Sequence, residues 1–160
     1  MSEAADTAHV SMTLADYAAV DQGQKINMVG GSISLVGYDF NVGVTVPFTV
    51  VAWISFDSKF GGHSPAIELL LEDDTGAIVE LPGPPNPVDA PRYVRVGAAE
   101  VLRPAEAGLR PRSQIVLNFA TGLPLTAGQI YRWRVKIDGS TQDSWTYDFL
   151  VVKSSGLIVG

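Results

Sequence analysis

The chain has 160 residues, 46% of them hydrophobic, no cysteine and a net charge of −6. That is enough apolar material for one packed domain without staples, and the lack of cysteine excludes disulfides, thiolate metal sites and cysteine nucleophiles. The acidic balance disfavours nucleic acid as a partner, because phosphate neutralisation needs clustered Lys and Arg.

In chain order, MSEAADTAHV reads as an N-terminal arm without the basic start and apolar run of a secretory signal. No later stretch reaches the roughly 18 consecutive apolar residues of a membrane helix. The expected location is therefore cytoplasm or virion, with no membrane partner. Val10, Met12 and Leu14 alternate with Ser11 and Thr13, which predicts a strand. LADYAAVD is compatible with a turn or two of helix, although the residues before it alternate like a strand. QKINMVGGSISLVG predicts two short strands around Gly30-Gly31. PFTVVAWISFD is apolar on both faces from Phe48 to Phe56, the pattern of a central strand covered on both sides or of one at a subunit contact.

AIELLLEDDTGAIVEL reads as strand, Asp-Asp-Thr-Gly turn, strand. LPGPPNPVDAPR, with five prolines in twelve residues, cannot pair as an inner strand and is expected as a loop or edge crossing. Tyr93 to Val101 and Gln114 to Phe119 supply further strands. The closing ribbon sets Tyr131, Trp133, Val135 and Ile137 against Trp145, Tyr147, Phe149 and Val151, with Asp138-Gly139 starting the turn. One register puts Trp133 opposite Phe149 and Arg134 opposite Asp148; registers shifted by two stay open.

The sum is an all-β fold, an immunoglobulin-like antiparallel β-sandwich of about eight to ten short strands with little helix. The domain spans residues 10–153, between an arm over 1–9 and a tail over 154–160. Both ends are expected to reach onto neighbouring subunits. Charge is uneven along the chain: residues 1–90 carry twelve acids against Lys25 and Lys59, and residues 91–160 carry nine bases against five acids. Interleaving of strands from the two halves would mix these charges; complementary faces would instead let copies associate.

The segments ADYAAVDQGQKINMVGG, IELLLEDDTGAIVE and GLPLTAGQIYRWRVKIDG resemble an uncharacterised β-sandwich family of bacteria and their phages. The resemblance covers most of residues 10–152 and implies a fold; it carries over no catalytic residue.

Four groups of residues carry possible chemistry. Gly61-Gly62-His63-Ser64 has the composition of a nucleophile loop but lacks the strand-to-helix elbow such a serine needs. Glu72, Asp73, Asp74, Asp138 and Asp143 are turn acids that suit nearby backbone amides, or a hard cation at the loop ends. Most aromatic rings alternate inward, but Trp53 falls on the face opposite Phe48, Val50, Ala52, Ile54 and Phe56, as an exposed anchor for a partner. Arg92, Arg95, Arg132, Arg134 and Lys136 read as a solvated basic face or a docking surface for an acidic protein.

These readings lead to a non-catalytic structural or interaction protein. Its most concrete form is an assembly subunit, such as a phage capsid decoration or virion accessory protein, with a protein partner or its own copies bound. The alternative is a ligand-binding sandwich module, with carbohydrate as the ligand. No enzyme activity, cofactor or metal is expected.

Overall fold

Successive side chains on a strand point to opposite faces, so alternating segments must pair their apolar faces across a common interior. The computed structural model describes residues 1–81 and 108–153 and the strand at 95–98. Among these residues lie twelve strands: β1 (His9–Ala15), β2 (Tyr17–Val20), β3 (Ile26–Val29), β4 (Leu35–Val36), β5 (Tyr38–Asp39), β6 (Val44–Thr45), β7 (Phe48–Ser55), β8 (Ala66–Glu72), β9 (Arg95–Ala98), β10 (Arg112–Phe119), β11 (Ile130–Ile137) and β12 (Thr146–Val151). They form a three-stranded sheet in the order β1-β7-β10, a five-stranded sheet in the order β4-β12-β11-β8-β9, and two ribbons, β2-β3 and β5-β6. The all-β expectation holds, with the strands more finely divided than read.

The interior is built from rungs. Met12, Ala52 and Ile115 stand side by side in the three-stranded sheet, as do Leu14, Val50 and Leu117. Facing them from the other sheet are Leu71, Trp133 and Tyr147, and Leu69 beside Val135. Trp133 is fully buried and Phe149 nearly so. Trp133 stacks on Phe119 of the opposite sheet at 5.6 Å between ring centres, and Phe48 meets Phe149 at 5.9 Å. Removing rings of this size from water contributes about 2–3 kcal/mol each, so the closing ribbon holds the two sheets together.

The ribbon's register is shifted by two from the one drawn above: Trp133 is opposite Tyr147, Tyr131 opposite Phe149, and Arg132, rather than Arg134, opposite Asp148. The turn explains the shift. Asp138 and Gly139 both take positive φ, 48° and 78°, and Ile137 and Ser140 exchange backbone hydrogen bonds across a two-residue turn. Residues 141–144 are then extruded, and pairing resumes where the Val135 amide donates to the Trp145 carbonyl.

Three other segments depart from expectation. LADYAAVD forms no helix; Tyr17–Val20 is a strand. After the turn at Asp73, the expected return strand shrinks to an isolated bridge between Glu72 and Ile78. The N-terminal segment packs on its own domain: Glu3–Thr7 forms a short helix, α1, capped by Ser2, with Ala4, Ala5 and Ala8 buried in the central cluster. LPGPPNPVDAPR beyond Leu81, Arg92 and the tail over 154–160 lie outside the described residues.

Candidate functional site

The outer face of the five-stranded sheet carries the predicted basic stripe, and strand order pairs it. Arg132 donates two hydrogen bonds to the Asp148 carboxylate, at 2.6 and 2.8 Å. That bonding holds the Asp148 carboxyl below its usual range and raises the Arg132 guanidinium. Arg134 donates to Glu72 at 2.7 Å, with side-chain exposures of only 15% and 13%. Lys136 stands opposite Glu68, which is also in register with Arg95 of β9. The charge asymmetry of the two chain halves is thus mixed here, because β8 comes from the acidic half and β11 from the basic half.

Trp53 lies between Ser11 and Gln114 on the face of β7 away from Val50, Ala52 and Ile54, but it is half-buried there rather than exposed, and Thr49 and Val51 on the same face are buried. The Gln114 Oε1 atom beside it is buried without a hydrogen-bond partner among the described residues. His63 is exposed on its loop with its ring edge-on to Phe60 at 5.6 Å. The carboxylate sharing its recess, Asp138, accepts from Ser2 Oγ and from the Ala66 amide, both at 2.9 Å. Asp73 closes its turn by accepting from the Thr75 hydroxyl and from the Thr75 and Ala77 amides, which lowers its pKa, the hydroxyl first. Among the described residues no three metal-ligating side chains converge, and no helix is long and apolar enough to cross a membrane.

The two ends of the sandwich differ in chemistry. One end is marked by Ala15, Thr49 and Asn118, which share a rung of the three-stranded sheet. The Ile33 amide donates to Leu14 and the Leu150 amide to Ser34, so the same end includes Leu150 of β12 and its neighbours Leu35 and Ile130. The ribbons β2-β3 and β5-β6 both leave from this end, since one follows β1 and the other precedes β7. β2 packs on β7 and β10, and Ala18 is fully buried beneath it.

Apart from Met1 and Leu109, every exposed large apolar side chain among the described residues lies on these two ribbons or beside the strands at this end: Tyr17, Val20, Met28 and Val29 on the first ribbon; Phe40, Val42 and Val46 on and beside the second; and Leu35, Ile78 and Ile130 near the strand ends of the five-stranded sheet. Val42 is 70% exposed, Val29 64%, Tyr17 56% and Phe40 55%. Exposed apolar residues are ordinary when scattered; gathered on two neighbouring ribbons they form a candidate contact surface. These residues were not singled out from the sequence. The available signal was GYDFNVGVTV, where Tyr38, Phe40, Val42, Val44 and Val46 share one parity but Asp39, Asn41 and Gly43 between them are turn residues, so the run cannot continue as one buried strand face.

The opposite end is polar. A cleft of about 500 Å³ there is lined by residues including Asp6, His9, Asp57, Arg110, Gln142 and the edge of buried Trp145. Glu3 and Lys59 form an exposed ion pair on the same side of the molecule, and Arg110 donates to the Thr7 carbonyl.

Comparison with known protein families, curated proteins and solved structures returns no match for this chain.

Proposed function

We propose that this chain is a non-catalytic interaction protein, an assembly subunit that docks through the apolar end of its sandwich. The observation that carries this reading is the gathering of Tyr17, Val29, Phe40 and Val42 on two ribbons leaving one end of the molecule. Their burial needs a surface that this chain's own described residues do not offer. The basic stripe is a weaker docking surface, since Arg132 and Arg134 already have carboxylate partners. A shell-decorating role, as in a phage particle, is the most concrete form of the proposal and rests on the likeness of the three segments quoted above.

Light scattering on the size-fractionated native complex tests it. The wild-type chain should elute in an assembly heavier than its own 17.0 kDa, and the double variant Phe40→Ser/Val42→Ser should stay folded but elute in a lighter species than the wild type. An assembly whose mass is unchanged by this variant, or a wild-type chain that is alone, overturns the proposal.

A second reading, a polar ligand module, is favoured by the cleft beside Arg110, whose volume lies within the range of small-molecule sites. Carbohydrate is its expected ligand class. A glycan array on which Arg110→Ala changes no signal removes it.

A further inference from the structure

The ribbon β2-β3 has one strand on the sandwich and one outside it. β3 is exposed along nearly its whole length, and among the described residues it pairs only with β2. Its free backbone groups follow from the turn. The Asp21 amide donates to the Lys25 carbonyl at 2.9 Å and the Gln24 amide to Asp21 at 3.1 Å, with Gln24 at φ 59°, so Asp21 and Lys25 are a hydrogen-bonded pair. Antiparallel alternation then turns the N–H and C=O groups of Asn27 and Val29 toward β2 and those of Ile26 and Met28 to the open side. Exposed apolar edges are normally blunted by a charge, a proline or a bulge. Here the edge runs Ile-Asn-Met-Val, with its nearest charges, Lys25 and Asp16, at opposite ends.

We propose that β3 pairs with β3 of a second copy, making a continuous four-stranded sheet across a two-fold axis. This deepens the assembly reading above and rests on it. The register that satisfies the edge has Asn27 on the axis, so that Ile26 and Met28 of one copy exchange backbone hydrogen bonds with Met28 and Ile26 of the other. Asn27 then faces its own counterpart, which resists slippage better than an apolar pair. Lys25 comes opposite Val29 of the second copy, next to Gly30. In each chain the Asp16 carboxylate lies over Gly30, with Oδ2 only 2.1 Å from where a side chain on that residue would begin. Two-fold symmetry therefore sets Lys25 near Asp16 twice, and this complementarity selects a second copy over a generic extended segment.

Sedimentation equilibrium on the purified full chain tests the pairing. The wild type should form a dimer with a dissociation constant in the micromolar range. Lys25→Asp and Asp16→Lys should each weaken it by about tenfold or more, because each places like charges together. A 1:1 mixture of these two variants should regain wild-type association, since every contact is then again between opposite charges. Met28→Pro, which removes an open-side donor, should abolish the dimer while the thermal transition of the sandwich persists. A wild-type chain that stays monomeric, a dimer indifferent to both charge variants, or a mixture that fails to associate overturns the inference. The assembly reading is judged separately, by whether the native complex depends on Phe40 and Val42.

Discussion

Arg134 and Glu72 lie 62 residues apart in sequence and meet at 2.7 Å on adjacent strands, both side chains largely withdrawn from water. Arg132 and Asp148 make a geometrically better pair on the same face but stand about half exposed. The two pairs should therefore differ in what they contribute. Removing one partner of a withdrawn pair leaves a desolvated charge, whereas an exposed pair is screened. We expect Arg134→Ala to cost about 3 kcal/mol and Arg132→Ala below about 1 kcal/mol, read from urea unfolding midpoints. Equal losses would contradict the burial argument.

The Asp148 pair sets a pH dependence. Hydrogen bonding from Arg132 depresses the Asp148 carboxyl in the folded chain, and the Thr75 hydroxyl with nearby amides does the same for Asp73. A group depressed on folding contributes stability above its unfolded pKa and loses it as pH falls through the folded value. The wild type should therefore weaken through the acid range below about pH 4. Asp148→Asn and Asp73→Asn should flatten that slope, so that wild type and variants converge at the acid end; parallel curves would count against the pairing.

Trp133 is fully buried, yet its Nε1 has no hydrogen-bond acceptor among the described residues. Trp133→Phe keeps a ring against Phe119 and removes the orphaned donor, so part of the lost packing is offset. We expect a cost of about 1 kcal/mol, against about 3–5 kcal/mol for Trp133→Ala. Calorimetric unfolding of both variants measures the difference.

Gly122 and Gly139 both take positive φ, 70° and 78°, but only one is crowded. A side chain on Gly122 would start 1.9 Å from the Thr45 carbonyl oxygen, whereas nothing lies within 4 Å of that position on Gly139. At Gly122 the loop is also pinned: the Leu123 amide donates to Thr45 Oγ1, and the Thr45 amide to the Leu123 carbonyl, both at 2.9 Å. Gly139→Ala should cost about 1–2 kcal/mol, the strain of the backbone alone. Gly122→Ala should cost several-fold more, about 4 kcal/mol or beyond, and lower the melting temperature accordingly.

Alternation by itself determined which side chains enter the interior. Trp133, Phe149, Val50 and Ile54 are buried because the period of two along each strand leaves each residue one face, and the apolar face must be dry. The central position of β7 was legible for the same reason, since a segment apolar on both parities needs cover on both sides. Pairing partners were not legible. The ribbon register turned on the extrusion of residues 141–144, and the salt bridge of Arg134 on β8 lying beside β11, a choice made by the packing of whole sheets. The proposed contact surface lay furthest from view. Tyr17, Val29, Phe40 and Val42 are apolar like core residues, and only the folded chain decides that the two ribbons carrying them start from one end, with none of the described residues covering them.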